Sequence, residues 1–217
     1  MTHCEKLERI RAELGTFMSE KRLSHVLGVE REAIALAELF SRFPGFLSPE
    51  DAERLQIAAL LHDVTKERTP QEQLQLCDSR GIALSAYERL TPKLLHARTG
   101  GIAAKEHFGE EIVDDVIIDA IRWHTTGRAD MTPLQALLYL ADWIEPTRTW
   151  ESCLSLRAYF YTPLEKIHSA EELRVHLDRT LLYSYDLIIR DLLEDGKTID
   201  ENTVAARNSL IVRLAAE

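Results

Sequence analysis

The 217-residue sequence predicts an all-α protein, a single-domain helical bundle. Glycine (9 residues) and proline (7 residues) are scarce, whereas residues that lose little conformational freedom in a helix, such as alanine and leucine, are plentiful. Apolar residues recur at every third or fourth position, and no segment shows convincing period-two alternation. A chain of this length can bury a core large enough to fold without disulfide bonds or structural metals, so the simplest prediction is one domain spanning residues 1–217.

The predicted helices follow from this spacing. Ser24 is the expected N-cap of the second helix, and Pro92 is expected in the first turn of a later one. The aromatic-rich segment TRTWESCLSLRAYFYTP, after Pro146, is predicted to be irregular. In chain order, the helices are expected at about residues 7–17, 26–40, a stretch ending at 63, 71–78, 84–90, a stretch opening at 92, 110–124, 133–145, 170–194 and 202–216.

The composition excludes several classes of partner. The formal net charge of -10 repels phosphate backbones, so nucleic-acid binding is not expected, although a small anionic substrate remains compatible. The three cysteines lie far apart with no CxxC pairing, which favours reduced thiols in a cytoplasmic protein. The N-terminus does not resemble a signal peptide, and no apolar run is long enough to span a bilayer. A homodimer is compatible with the sequence but is not indicated by it.

Six polar residues in apolar helical segments are candidate metal ligands. Asp63 closes the apolar run AALLHD, and Asp142 lies within LLYLADWIEP; a carboxylate in such a setting is costly to bury unless it is paired or bound to metal. A single histidine on an apolar helix is more often a hydrogen-bonded core residue, so the prediction depends on the whole set. Imidazoles and carboxylates from facing helices can form a two-metal site. The candidates are His25, His62, Asp63, His96, His124 and Asp142.

The order H…HD…H…H…D resembles the HD superfamily of metal-dependent phosphohydrolases. The local sequences resemble most closely those of the YqeK subgroup, the bacterial symmetrical diadenosine tetraphosphatases. The segments HTTG and YLADWIEPTR distinguish subgroups better than the His-Asp pair does. The matching stretches extend from about Lys21 to Asn208 and are KRLSHVLGVE, AALLHDVTK, KLLHARTGG, AIRWHTTG, LLYLADWIEPTR and GKTIDENTVAARN.

This resemblance implies a helical fold of the HD type, with a motif-bearing core at about residues 21–148 and C-terminal helices at about 164–217. It also implies two metal ions that share Asp63. The implied ligands of the first ion are His25, His62, Asp63 and Asp142, and those of the second are Asp63, His96 and His124. The family suggests iron, and a set of imidazoles and carboxylates suits iron or manganese at least as well as zinc.

The expected reaction is hydrolysis of a phosphoanhydride by a metal-bound hydroxide, most specifically symmetrical cleavage of diadenosine tetraphosphate to two ADP. Asp63 and Lys66 are the predicted catalytic residues. Cations near the ligands in the sequence are candidates to bind substrate phosphates. The predicted substrate-binding residues are Arg22, Lys66, Arg98, Thr125, Arg128 and Arg148. Trp150 and Tyr159 are candidates to stack on a base.

The sequence departs from the family pattern at Val26, where a small hydroxyl residue is common, and at Ala97 and Arg98, where Gly-Pro is common. The stretch after Arg148 is longer than usual in the family, and Trp150 to Pro163 has no clear counterpart there. These departures leave the ligands intact and the substrate open. The alternatives are an HD-type nucleotidase acting on another nucleotide and a non-catalytic nucleotide sensor of the same fold.

Overall fold

The computed structural model describes residues 1–216, which form α-helices joined by turns and include no strand. Three short 3₁₀ turns lie at Leu14–Thr16, Pro92–Leu94 and Leu164–Lys166. The α-helices of the described residues are α1 His3–Glu13, α2 Glu20–Ser41, α3 Pro49–Leu61, α4 Pro70–Ser79, α5 Ala86–Leu90, α6 Leu95–Phe108, α7 Asp115–Trp123, α8 Pro133–Ile144, α9 Glu151–Tyr161, α10 Ala170–Glu194 and α11 Glu201–Ala215. The all-α prediction is confirmed.

Helix α2 begins earlier than predicted. Ser19 is its N-cap, with a side-chain oxygen that accepts a hydrogen bond from the Arg22 backbone N–H at 3.3 Å. Ser24, the predicted cap, is an exposed residue inside the helix. The first turn of α2 is polar, so the apolar pattern begins later than the helix itself.

The helix predicted at 110–124 begins only at Asp115. Gly109, with φ +88°, ends α6 in a conformation that favours glycine. The Asp114 side chain then accepts a hydrogen bond from the Ile117 N–H at 2.9 Å and caps α7. The intervening residues form the connection between the two helices.

The segment predicted to be irregular contains helix α9, so that prediction was wrong. Cys153, Leu156 and Phe160 are buried at helical spacing along one face of α9. Arg157, on the same helix, donates hydrogen bonds to the carbonyls of Ile144 at 2.6 Å, Arg148 at 3.1 Å and Glu145. Helix α9 therefore caps the C-terminal end of α8, where Asp142 lies.

The core is a continuous cluster of buried apolar side chains that extends from Leu7 to Leu210. Helix α2 packs against α3 and α8, α6 packs against α7, and α10 packs against α11. The approach of α6 to α7 is close, because a Cβ atom on Gly101 would lie 2.9 Å from the Ile118 Cα. The cluster is continuous within residues 1–216, and Glu217 lies outside the described residues. One domain over residues 1–217 stays a prediction. No helix within residues 1–216 has the length and apolar character needed to cross a membrane.

Candidate metal centre

The six predicted ligands converge on one buried point between the helices. His62 and His124 are the C-cap residues of α3 and α7, and Asp63 follows His62 in the adjoining turn. None of the six is more than 9% exposed. The remaining three come from α2, α6 and α8 and are His25, His96 and Asp142.

One set of ligand atoms faces Oδ2 of Asp63. This oxygen lies 3.5 Å from His62 Nε2 and 3.7 Å from His25 Nε2. Oδ1 of Asp142 completes the set, at 3.1 Å from His25 Nε2 and 3.8 Å from His62 Nε2. Four side chains thus present two nitrogens and two oxygens to the same small volume.

A second set faces the other oxygen of Asp63. Oδ1 lies 3.4 Å from His96 Nε2 and 3.6 Å from His124 Nε2, and these two nitrogens are 3.2 Å apart. The carboxylate of Asp63 therefore stands between two sets of ligand atoms, with one oxygen directed to each.

Three of the histidines are oriented in the same way. His62, His96 and His124 each place Nδ1 against the backbone carbonyl three residues earlier, and a carbonyl can only accept, so Nδ1 carries the proton. This contact fixes the tautomer and directs the Nε2 lone pair into the cluster. The acceptors are the carbonyls of Ala59, Lys93 and Ile121, at 2.7, 2.6 and 2.6 Å.

His25 is oriented instead by a buried carboxylate that the sequence reasoning missed. Its Nδ1 lies 3.0 Å from Oε1 of Glu145, a residue that is 0% exposed. Glu145 also accepts hydrogen bonds from Thr147, at 2.7 Å from the backbone N–H and 2.6 Å from the hydroxyl. A Cβ atom on Gly28 would lie 2.3 Å from Glu145 Oε2, so the contact requires glycine there. Glu145 lies three positions after Asp142, in the segment ADWIEP. The cost of burying a carboxylate could therefore have identified it from the sequence as well.

The electrostatics of the cluster keep lone pairs available. Burial lowers the pKa of His62 to about 4 and that of His96 well below its ordinary value, so both imidazoles are neutral at pH 7. Burial opposes ionisation of Asp63, but His62, His124 and Lys66 hold its pKa well below 3.8.

The pKa of His25 moves in the opposite direction. Burial disfavours its charged form, yet the carboxylates of Asp142 and Glu145 lie against its two ring nitrogens and raise its pKa to about 9. Asp142 stays ionised despite burial, because Arg148 and His25 hold its pKa well below 3.8. The same carboxylates that favour a proton on His25 would favour a metal cation beside it.

Several atoms of the cluster are buried without a partner. The Nε2 atoms of His25 and His62 and Oδ1 of Asp63 make no hydrogen bond with any residue in the described range. Unsatisfied buried polar atoms are costly, and a bound cation would satisfy all three. Imidazole nitrogens and carboxylate oxygens without thiolates form a donor set that fits a divalent metal.

Cations and a hydroxyl surround the ligand atoms. Arg22 Nη1 donates to Asp63 Oδ2 at 2.7 Å, and Arg148 donates to Asp142 Oδ1. Lys66 Nζ lies 3.0 Å from His96 Nε2. The Thr125 hydroxyl lies 3.0 Å from His124 Nε2 and 3.2 Å from His96 Nε2. Four of the predicted substrate-binding residues, Arg22, Lys66, Thr125 and Arg148, thus lie at the cluster.

The other two do not contact it. Arg98 forms an ion pair with Glu88, and Arg128 is an exposed residue whose guanidinium lies 5.4 Å from the Trp123 ring centroid. Of the two predicted stacking residues, Trp150 is 66% exposed and its ring lies 5.4 Å from the Arg148 guanidinium. Their roles in substrate binding stay predictions.

Comparison with known proteins assigns the family. The model of the HD domain matches residues 22–147, more than half of the chain, and this range contains all six candidate ligands. The chain belongs to the HD-domain family. Its relatives in this family include two proteins named symmetrical bis(5'-nucleosyl)-tetraphosphatase. That of Bacillus subtilis is 34% identical over 69% of this chain and 74% of its own length. That of Halalkalibacterium halodurans is 30% identical over 90% of this chain and 91% of its own.

A solved HD structure agrees with the fold. It is described as a predicted HD superfamily hydrolase involved in NAD metabolism from Clostridium acetobutylicum. The two chains superpose with a TM-score of 0.79 at 32% identity, over 95% of this chain and 97% of the other. The HD fold predicted from the resemblance is confirmed.

Proposed function

We propose that this chain is a metal-dependent phosphoanhydride hydrolase that cleaves diadenosine tetraphosphate symmetrically to two ADP. The observation that carries the proposal is the placement of Asp63, whose two carboxylate oxygens face two separate sets of ligand atoms. The relatives named symmetrical bis(5'-nucleosyl)-tetraphosphatase support the choice of substrate.

We assign one metal ion to the set at Asp63 Oδ2 and a second to the set at Asp63 Oδ1. The proposed ligands are His25, His62, Asp63 and Asp142 for the first ion and Asp63, His96 and His124 for the second. Iron is the favoured metal, and manganese or zinc also suits these donors. When bound, the ions would supply an activated water nucleophile and neutralise charge on the phosphoryl oxygens.

The chain's own residues then bind and orient the substrate. Arg22 and Arg148 contact Asp63 Oδ2 and Asp142 Oδ1 in the first set of ligand atoms, and Lys66 contacts His96 Nε2 in the second. Cations in these positions would hold the phosphate chain across Asp63 through charge-assisted hydrogen bonds. The Thr125 hydroxyl, beside His96 and His124, can orient a phosphoryl oxygen. ADP is a good leaving group, so no dedicated general acid is required.

Product identification tests the proposal. The purified, metal-loaded protein is incubated with diadenosine tetraphosphate, and the nucleotides are separated by anion exchange. ADP as the sole nucleotide product is expected; AMP plus ATP would contradict symmetrical cleavage. Hydrolysis of mononucleotides instead would favour the nucleotidase alternative, and binding without turnover would favour the sensor.

The role of Asp63 is tested separately with Asp63→Asn. The amide keeps the shape of the side chain but presents one oxygen and one NH₂ group, so it cannot bridge two cations. Loss of nearly all turnover is expected, with the thermal midpoint of the metal-free protein little changed. Near-normal turnover in a metal-containing variant would overturn the mechanism.

A further inference from the structure

A cationic cavity opens beside the cluster. It has a volume of about 210 Å³, and its lining contains four cations and no carboxylate, in a chain whose net charge is -10. Such a local excess of positive charge would concentrate anions despite the acidic total. The lining residues are Arg22, Lys66, Arg68, Pro70, Gln73, Pro92 and Lys93.

Two of these cations connect the cavity to the proposed reaction site. Arg22 donates to Asp63 at 2.7 Å, and Lys66 lies 3.0 Å from His96 Nε2. The inner end of the cavity therefore borders the Asp63 cluster, and a phosphate chain attacked there could extend into it.

The side chains of the other two cations, Arg68 and Lys93, do not contact the cluster. Both are exposed, and neither side chain forms an ion pair or hydrogen bond with another residue in the range 1–216. Hydrogen bonds from Thr69 and the charge of Arg68 lower the pKa of the Glu72 carboxyl, so Arg68 has one acidic neighbour. Some other cations of the chain pair with a carboxylate, as Arg80 does with Glu106. The carboxylate of Glu67, the residue before Arg68, is directed to Ser19, at 2.6 Å from its N–H and 2.7 Å from its hydroxyl.

The backbones that carry these two cations are fixed to the site. Arg68 follows a turn held by Gln73, which donates to the Thr65 carbonyl at 2.5 Å. Lys93 lies in the 3₁₀ turn Pro92–Leu94, and its carbonyl accepts the hydrogen bond from His96 Nδ1. Both side chains thus project from anchored positions beside the cluster.

We propose that Arg68 and Lys93 form a distal phosphate subsite, which binds the phosphates of a nucleoside polyphosphate beyond the phosphate attacked at Asp63. The inference rests on the proposed function, because it assumes that the reaction occurs at the cluster. The subsite makes affinity depend on the length of the phosphate chain. Under this proposal, a single phosphate at the cluster contacts neither outer cation, whereas a tetraphosphate contacts both.

The test compares Arg68→Gln/Lys93→Gln with a control that removes the same charge elsewhere. Arg42→Gln/Arg179→Gln serves as the control, because both arginines are exposed and neither lines the cavity. Arg42 follows the last residue of α2, about 30 Å along the helix from Arg22. Dissociation constants are measured by calorimetry on the metal-loaded proteins for two probes. These are AMP and a diadenosine tetraphosphate analogue with a methylene group as its central bridge.

Loss of both cations should weaken binding of the analogue by about a hundredfold, about tenfold for each charge-assisted contact. Binding of AMP should stay within about twofold of the control, since a single phosphate makes neither contact. Equal affinity of the cavity variant and the control for the analogue would overturn the subsite. An equal loss for AMP and the analogue would also overturn it, because the change would then lie at the cluster.

The same experiment separates the subsite from the proposed function. In one outcome, the wild-type protein releases no ADP from diadenosine tetraphosphate while the cavity variant still shows a selective loss of affinity for the analogue. That result would support the subsite and contradict the proposed reaction. If ADP is released and the cavity variant and the control bind the analogue with equal affinity, the reaction is supported and the subsite is contradicted. Exposed glutamines should not alter folding, which a thermal melt of each variant checks.

Discussion

Replacement of Glu145 by glutamine should weaken metal binding without unfolding the protein. Glu145 accepts hydrogen bonds from the His25 ring at 3.0 Å and from the Thr147 backbone at 2.7 Å, one at each carboxylate oxygen. Glutamine has the same shape but only one oxygen, so its NH₂ group must face one of these two donors. One hydrogen bond is lost in either orientation, and the imidazole of His25 loses its charged anchor.

The magnitude follows from the position of Glu145 behind a proposed ligand. Loss of an outer hydrogen-bond partner of a metal-binding histidine typically lowers metal affinity by about 10–100-fold, or about 1.4–2.7 kcal/mol. The metal-free protein should lose about 1–3 kcal/mol of stability, the cost of one unsatisfied buried group. The loss of metal affinity is the distinctive effect, because many buried substitutions reduce stability.

Glu30→Gln provides the matched control. Glu30 is also buried, but it accepts hydrogen bonds from Gln56, at 2.8 Å, and from Arg11, and it does not contact the cluster. Competition with a chromophoric chelator for manganese or zinc gives the metal affinity of each variant, and thermal melts give their stability. Wild-type metal affinity in Glu145→Gln, or the same loss in both variants, would refute the role assigned to Glu145.

Three further changes test the helix packing and the hydrogen bonds at helix ends that position the site. Gly101→Ala should lower the free energy of unfolding, measured in urea, by about 1–3 kcal/mol, because its Cβ would lie 2.9 Å from the Ile118 Cα. Gly15→Ala is the control and should leave this free energy unchanged, since its Cβ would meet no atom within 4 Å. Equal stability of the two variants would contradict the close approach of α6 to α7. Arg157→Gln removes donors to the carbonyls at the end of α8 and should cost about 1–3 kcal/mol; a thermal melt like that of the wild type would argue against this cap. Burial opposes ionisation of Asp114, but hydrogen bonds at the start of α7 and a neighbouring arginine hold its pKa below 3.8. Its ionic contribution is therefore present above pH 3.8 and lost as the pH falls further, so wild type and Asp114→Asn should differ in stability at pH 7 and converge in acid melts. A difference that stays constant with pH would disprove this linkage.

Much of the fold could be predicted because the helical signals were local. The segment 170–194 matches α10, since Ser169 caps it and Glu172 completes a capping box before a long apolar pattern. Helix α9 was missed because Trp150, at its N-cap, makes no side-chain hydrogen bond to the helix. Its aromatic residues also obscured the spacing of the buried face.

The site could be predicted only in part. The cost of burying a carboxylate identified Asp63 and Asp142, and their combination with four histidines in apolar segments predicted the cluster. The same burial cost, applied to Glu145, would have extended it. Proximity in sequence was an incomplete guide for cations: Arg22 and Lys66 lie at the cluster, but Arg98 points to Glu88. The cavity that contains Lys93 depends on how a turn and a 3₁₀ segment pack, which no local pattern encodes.

Anomalous diffraction from crystals of anaerobically purified protein tests the central claim most directly. Data collected at the absorption edge of the bound metal should give two peaks, one beside each carboxylate oxygen of Asp63. Density at the cluster without an anomalous peak, or a metal bound elsewhere while His25 and His62 form hydrogen bonds of their own, would contradict the two-metal site.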